Sequence, residues 1–181
     1  GRDPKHSIVC ATSGIIELMN DSELEAVMAH EMGHVQNYDI RVSTIAFGLA
    51  SAIALISDLA LRLTFFSDDD DREIQPIVYV VSFIAIILAP VIALVIQMAI
   101  SRQREYLADA TSAKNTSNPD AMISALKKLE GHEKPMEKQS SATSHMFFLN
   151  PLKPGFLSKM LSTHPPLEDR IKRLEEEKSR F

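Results

Sequence analysis

The sequence predicts a mainly α-helical protein with a small β element, in which a two-helix transmembrane hairpin interrupts a polar domain. Three observations support this fold class. Residues 30–34 carry a metal-binding pattern, residues 42–100 hold two long apolar blocks, and residues 7–12 are rich in β-branched side chains. The predicted segments are the first part of the polar domain (1–41), a transmembrane helix (42–66), an acidic extracytoplasmic turn (67–73), a second transmembrane helix (74–100) and the second part of the polar domain (101–181).

The first predicted element is a short strand over residues 7–12, which ends at Ser13 and Gly14. Two interpretations of this strand remain open. It is either a sheet edge along which an extended substrate pairs through main-chain hydrogen bonds, or an inner strand with Cys10 packed as a small hydrophobic residue. Cys10 is also the only cysteine in the sequence, which excludes an intrachain disulfide and fits a reducing compartment.

An amphipathic helix follows, and it begins at capping signals on Asn20 and Ser22, each of which has a Glu three positions later. Within it, residues 30–34 read His-Glu-Met-Gly-His. Because positions four apart share one face of a helix, the two histidines can bind the same metal ion. Glu31 lies beside that face, where it can take a proton from a metal-bound water. This pattern predicts a catalytic metal site.

The two apolar blocks differ in how strongly they predict a transmembrane helix. Residues 74–100 contain 27 residues without a charge. As a helix this stretch is about 40 Å long, against roughly 30 Å of bilayer hydrocarbon, so it predicts a transmembrane helix, with a kink at Pro90. The earlier block, 42–66, is interrupted by Asp58 and Arg62, which lie four apart and can neutralise each other. Alternatively, Asp58 belongs to a polar path between helices.

Charges beside the spans predict their orientation. Basic residues close to the spans are Arg41, Arg102, Arg104 and Lys114 on one side and Arg72 on the other. The positive-inside rule then places the polar domain in the cytoplasm. The metal-binding pattern precedes the apolar run, which begins only after Arg41, and this argues against an intramembrane protease. A net charge of −5, with no basic patch that carries interleaved aromatics, argues against a nucleic-acid partner.

A catalytic zinc ion needs a third protein ligand besides two histidines, with one position left for water. A histidine six residues after the second is absent, because Ile40 occupies that position. Glu105 is the best candidate, since it follows the second span on what we expect to be the same helix and returns to the side of His34. Asp109 lies four residues on, where it can accept a hydrogen bond from a ligand imidazole and fix its tautomer. The alternative is an ordinary solvated helix surface.

Two further helices are predicted near the end of the chain. The first begins with Asn118 as its cap and ends near Glu130, and a polar loop over residues 131–144 follows it. The second begins at Pro166. We expect Leu167, Ile171 and Leu174 to face inward in it and the charged side chains to be solvated.

Three separated motifs, in order, resemble those of the HtpX membrane zinc endopeptidases, relatives of the type 1 CAAX prenyl proteases. They are residues 30–39, then Ser-Arg-x-x-Glu-x-x-Ala-Asp over residues 101–109, and Ser-Thr-His-Pro-Pro-Leu-x-x-Arg-Ile over residues 162–171. The resemblance implies a gluzincin-type zinc peptidase core and a role in membrane protein quality control and the stress response. It also implies that His164 donates a hydrogen bond to the oxyanion formed during peptide hydrolysis. Since the family has two spans ahead of this region and the chain begins at Gly1, we expect a fragment.

The expected function is that of a multi-pass metalloendopeptidase of the cell (inner) membrane, with its active site facing the cytoplasm. We expect His30, His34 and Glu105 to bind one Zn²⁺ per chain. A zinc-activated water, with Glu31 as its general base, then hydrolyses peptide bonds of misfolded or membrane proteins. One alternative is a prenyl-protein (CAAX-type) protease. Another is a non-catalytic membrane scaffold with a structural metal, which would need a fourth protein ligand, although no Cys lies nearby.

Overall fold

The computed structural model describes residues 3–65, 76–131 and 164–181. These residues form six α-helices: α1 (Ser13–Leu18), α2 (Asp21–Gln36), α3 (Asp39–Phe65), α4 (Pro76–Thr116), α5 (Pro119–Glu130) and α6 (Leu167–Glu177). Short 3₁₀ turns cover Pro4–His6 and Lys178–Arg180. The predicted acidic turn 67–73 lies outside the described residues, as does all but Gly131 of the predicted loop 131–144.

The chain divides into two compact units, Gly1–Arg41 with Ser101–Phe181, and Val42–Ile100. Two helices are long and apolar enough to span a membrane, with candidate spans Asp39–Arg62 and Ser82–Thr116. Only 6 % of each apolar window is buried inside the protein, unlike the core helix of a soluble domain. These two helices fit a membrane location.

Within the second unit, the two residues that interrupt the first apolar block pair with each other. The Nε of Arg62 lies 2.8 Å from the Oδ2 of Asp58, one helical turn away. This contact is the mutual neutralisation that their spacing predicts. In the other apolar block, α4 is one helix through Pro90 and continues to Thr116. Glu105 and Asp109 therefore do lie on the same helix as the second span.

The predicted β element is not confirmed. The described residues contain no strand, and residues 7–12 belong to no helix and no ladder. The backbone is extended at Ser7 and at Thr12, with φ and ψ of −96° and 147°, and −78° and 153°. An extended segment becomes a strand only when a neighbour accepts and donates its main-chain hydrogen bonds. Since no described residue does so here, the mainly helical part of the prediction is confirmed and the β part is not.

Capping side chains fix where two helices of the first unit begin. The Asn20 side chain accepts a hydrogen bond from the Glu23 amide, and the Glu23 carboxylate accepts one from the Asn20 amide, both at 2.9 Å. This is a complete capping box at the start of α2. The Asn118 side chain accepts from the Ala121 amide at 3.1 Å at the start of α5. Both starts agree with the sequence prediction.

The core of the first unit lies where α5 packs against α2 and α6. Met122, Ile123, Leu126 and Leu129 are buried on α5, as the helical spacing predicts. The other buried apolar residues of the two core clusters are Met19, Ala26, Val27, Ala113, Ala121, Ala125, Ile171 and Leu174. This core holds α2 and α6 in place, and both helices carry residues of the site described below.

Candidate metal centre

The structure brings the three predicted metal ligands together. The Nε2 atoms of His30 and His34 are 3.0 Å apart. The two carboxylate oxygens of Glu105 lie 3.6 Å from them, one from each imidazole. His30 and Glu105 are buried, and His34 is partly exposed. The histidines lie on successive turns of α2, and the glutamate comes from α4.

A close approach of α2 to α4 makes this convergence possible. A Cβ atom on Gly33 would lie 3.3 Å from the carbonyl oxygen of Ala108 and 3.3 Å from the Cβ of Thr111. A side chain at position 33 would therefore push the two helices apart. The Ser112 hydroxyl donates to the Ala26 carbonyl at 2.6 Å, which ties the same two helices together one turn further along.

His30 has a carboxylate partner behind it, as the sequence predicts for Asp109. The Nδ1 of His30 lies 2.8 Å from the Oδ1 of Asp109. Burial raises the pKa of Asp109, but Arg170 and His30 outweigh burial and bring this pKa down to about 2. Burial also lowers the pKa of His30, against the influence of Asp109. A neutral imidazole that donates from Nδ1 to a carboxylate presents the Nε2 lone pair to a metal.

Arg170 contacts both Asp109 and Glu105, and sequence reasoning missed this role. Its Nε and Nη2 lie 2.8 Å and 2.6 Å from the two carboxylate oxygens of Asp109, and its Nη1 lies 3.4 Å from the Oε2 of Glu105. The prediction that the charges of this helix are solvated is wrong for Arg170, which is 1 % exposed. A signal was present, because position 170 shares a helical face with Leu167 and Leu174.

His34 also has a carboxylate partner, to which sequence reasoning had assigned no role. The Nδ1 of His34 lies 2.6 Å from the Oδ2 of Asp39. Asp39 forms an ion pair with Arg104, whose guanidinium also donates to the Asn37 carbonyl. Each ligand imidazole is thus backed by an aspartate, and each aspartate by an arginine.

His164 lies next to Glu105, the third candidate ligand. Its Nδ1 is 3.1 Å from the Oε1 of Glu105, and its side chain is partly exposed. Burial raises the pKa of Glu105, but His164, Arg170 and His30 outweigh burial and bring this pKa down to about 2. Glu105 is therefore a carboxylate at neutral pH, which is the form that binds a metal.

Glu31 lies beside a cavity of about 120 Å³ at the edge of the centre. The side chain is partly exposed, and it lines the cavity together with His34, Val35 and Tyr38. Ile8 and Val9, from the extended segment 7–12, line another part of it. This volume holds several water molecules or one substrate side chain next to the carboxylate.

The donor set fits a catalytic zinc ion. Two imidazoles and one carboxylate, with a further position left for water, are ligands found at zinc in metallopeptidases. Donor atoms at the usual distances around a tetrahedral zinc ion are about 3.3–3.5 Å from one another. The three separations here, 3.0, 3.6 and 3.6 Å, bracket those values. Both Nδ1 atoms face aspartates, so both Nε2 atoms are available for a shared ion.

A helical His-x-x-x-His pair, a glutamate between the histidines and a distant glutamate ligand on a second helix define the zinc peptidase class of site. Comparison of the sequence with protein families agrees. The family described as Peptidase family M48 matches residues 1–178, and the chain belongs to this family.

Several relatives share most of the sequence. A protein named Protease HtpX homolog from Tropheryma whipplei is 54 % identical over 181 residues, which are 100 % of this chain and 62 % of the relative. Relatives with the same name from Lactobacillus acidophilus and Streptococcus gordonii are 48 % and 46 % identical, over 97 % and 96 % of this chain and 61 % of each relative. The resemblance to the HtpX family is confirmed. The chain spans about three fifths of the length of these relatives, and no solved structure matches it.

Proposed function

We propose that this chain forms the catalytic part of a membrane-bound zinc metalloendopeptidase. The observation that carries the proposal is the convergence of His30, His34 and Glu105 with Glu31 beside them. A scaffold with a structural metal is less well supported. The candidate metal group comprises three donors among the described residues, whereas a closed structural zinc site takes four.

His30, His34 and Glu105 hold one zinc ion per chain. Zinc in such a site lowers the pKa of its water and polarises the scissile carbonyl. Glu31, on the same helix as both histidines, accepts the proton that the water loses and later donates it to the leaving amine. Asp109 keeps His30 in the tautomer that binds metal.

His164 is proposed to donate a hydrogen bond to the oxyanion that forms when water attacks the peptide carbonyl. Its position supports this role, because Glu105 holds one ring nitrogen and the side chain remains partly exposed. Pro165 and Pro166 follow it and restrict the backbone that carries the imidazole. A donor that is fixed before the reaction stabilises developing charge without reorganisation.

The substrates are proposed to be unfolded or membrane polypeptides presented at the cytoplasmic face of the cell membrane. The two apolar helices support membrane attachment, and the excess of Lys and Arg on one side of them supports this orientation. Residues 7–12, which are extended at both ends and have no ladder partner among the described residues, support recognition of a substrate main chain with little sequence preference. The relatives are named proteases of the HtpX type, so the prenyl-protease alternative is not favoured.

The test compares Glu31→Gln with Glu25→Gln, which removes an exposed carboxylate from the same helix. The wild-type chain in detergent should bind one zinc ion and cleave casein, and a chelator should abolish cleavage. Glu31→Gln should keep the zinc ion and lose at least about 100-fold in turnover, since the base is lost but no ligand is. Glu25→Gln should behave as wild type. Turnover of Glu31→Gln above a tenth of wild type would remove Glu31 from its role. Cleavage confined to a single consensus sequence in folded proteins would overturn the substrate proposal.

A further inference from the structure

The second histidine ligand depends on a contact made beyond the end of its own helix. The Nδ1 of His34 lies 2.6 Å from the Oδ2 of Asp39, which is the first residue of α3. Asp39 is only 8 % exposed. A metal-ligating imidazole that donates its other N–H to a carboxylate is held in one tautomer and one ring orientation. Here that leaves Nε2 facing His30 and Glu105.

The turn between α2 and α3 is what brings this carboxylate to His34. In an uninterrupted helix, a residue five positions after His34 would lie about 140° around the axis and would face away from it. Instead α2 ends at Gln36, and Tyr38 interrupts the helical backbone with a φ of 55°. A left-handed backbone at a residue other than glycine is unfavourable and persists only where its surroundings hold it.

Arg104 holds both sides of this turn. Its guanidinium donates to the carbonyl of Asn37 and forms an ion pair with the carboxylate of Asp39. Arg104 also directly precedes the ligand Glu105 on α4. One segment of α4 therefore supplies the third metal ligand and the cation that fixes the partner of the second.

The same arrangement occurs at the other histidine. His30, Asp109 and Arg170 form an imidazole, carboxylate and guanidinium series, with 2.8 Å between the first two groups. The same set of imidazole, carboxylate and guanidinium therefore occurs at both candidate histidine ligands. This repetition indicates that each imidazole is oriented by a carboxylate, which is itself held in place by an arginine.

We propose that Asp39, held by Arg104, positions His34 for metal binding. Both are positioning residues and not ligands, since the candidate metal group found among the described residues consists of His30, His34 and Glu105. The inference rests on the proposed zinc site, but it concerns the affinity and the geometry of metal binding and can be measured without turnover.

The experiment uses the whole chain in detergent and three measurements. These are the zinc dissociation constant by competition with a chromophoric chelator, the visible absorption spectrum of the Co²⁺-loaded protein, and the melting temperature of the metal-free protein. The variants are Asp39→Asn, Arg104→Gln and Arg104→Lys. The control is Asp120→Asn, which makes the same change at an exposed carboxylate paired with Lys178.

Asp39→Asn should weaken zinc binding by about 10–100-fold, as loss of a ligand's carboxylate partner does. It should also shift the Co²⁺ absorption bands, because the orientation of one ligand changes. Arg104→Gln should weaken binding less, and combining it with Asp39→Asn should add little, since both act through one contact. Arg104→Lys should recover part of the affinity by keeping the charge. Asp120→Asn should bind zinc within about twofold of wild type, since exposed ion pairs contribute little.

Two results with the variants would overturn the inference. One is zinc binding by Asp39→Asn equal to that of Asp120→Asn. The other is a loss of zinc affinity in Asp39→Asn that is accompanied by a lower melting temperature, while the Co²⁺ spectrum is unchanged. The contact between Asp39 and His34 would then serve stability and not metal binding. If wild type binds zinc but cleaves no polypeptide while Asp39→Asn still loses affinity, the proposed function fails and the positioning role stands. A wild-type chain that binds no zinc would overturn both.

Discussion

Replacing Arg170 with leucine should destabilise the first unit strongly, whether or not zinc is bound. The side chain is 1 % exposed and makes two short contacts with Asp109 and one longer contact with Glu105. Its removal leaves two buried carboxylates without their cation. Breaking one side of a buried ion pair costs about 3–5 kcal/mol. For a chain of this size, this corresponds to a melting temperature lower by roughly 6–20 °C.

Calorimetry of the protein in detergent and chelator would measure this loss without a contribution from zinc. Lys172→Leu is the matched control, because it removes one positive charge from the same helix at a position that is 75 % exposed. It should cost no more than about 1 kcal/mol. The double variant Arg170→Leu/Asp109→Leu should recover part of the stability, because Asp109 is then no longer a buried carboxylate without its cation, while Glu105 still lacks its contact with Arg170. A loss below about 1 kcal/mol in Arg170→Leu would refute the reasoning.

Two further predictions concern metal content and pH. Glu105→Ala should lower zinc occupancy sharply, whereas Asp109→Ala should weaken zinc binding by only about 10–100-fold; unchanged zinc content in Glu105→Ala, by elemental analysis, would place the third ligand elsewhere. Glu23 is buried, which raises its pKa, but hydrogen bonds from Lys128, Ser124 and the Asn20 amide outweigh burial and lower the pKa below 4.5. A group whose pKa is lowered by folding stabilises the fold at pH values above its pKa in the unfolded state. This contribution to stability is lost as the pH falls through its pKa in the folded state. Glu23→Gln should therefore melt below wild type at pH 7, with a gap that closes as the pH falls below about 4.5; a constant gap would contradict this.

Local rules predicted most of the helices and two of the three candidate ligands, but not the short helix α1. The capping box at Asn20 and the cap at Asn118 depend on residues three positions apart, and the buried face of α5 depends on helical spacing alone. The two histidines follow from the same spacing. Glu105 needed one more step, the return of the chain through a hairpin, which length and hydropathy supply.

What the sequence did not predict depends on contacts between distant segments. Arg170 is separated from Asp109 by 61 positions, and its charge alone suggested a solvated side chain. Arg104 was counted as a basic residue beside a span, although in the structure it reaches the turn at Asp39. The strand over residues 7–12 is not confirmed for a related reason, since a strand requires a neighbour that its own residues do not specify.

Many ionised groups can lie together around the centre because most of them pair with a group of opposite charge. Among the described residues, Asp3 and Arg41 line the cavity and carry opposite charges that cancel. Besides these and the imidazoles, the charged side chains beside the candidate ligands or among them are Glu31, Asp39, Glu105, Asp109, Arg104 and Arg170. Four carboxylates and two guanidiniums leave two negative charges. Buried charges are stable only when they are paired or bind metal, and the two arginines pair with the two aspartates that do not bind metal. The charge that remains is that of Glu31 and Glu105, and one divalent cation balances it. Zinc would thus neutralise a site whose two aspartates are already paired with arginines.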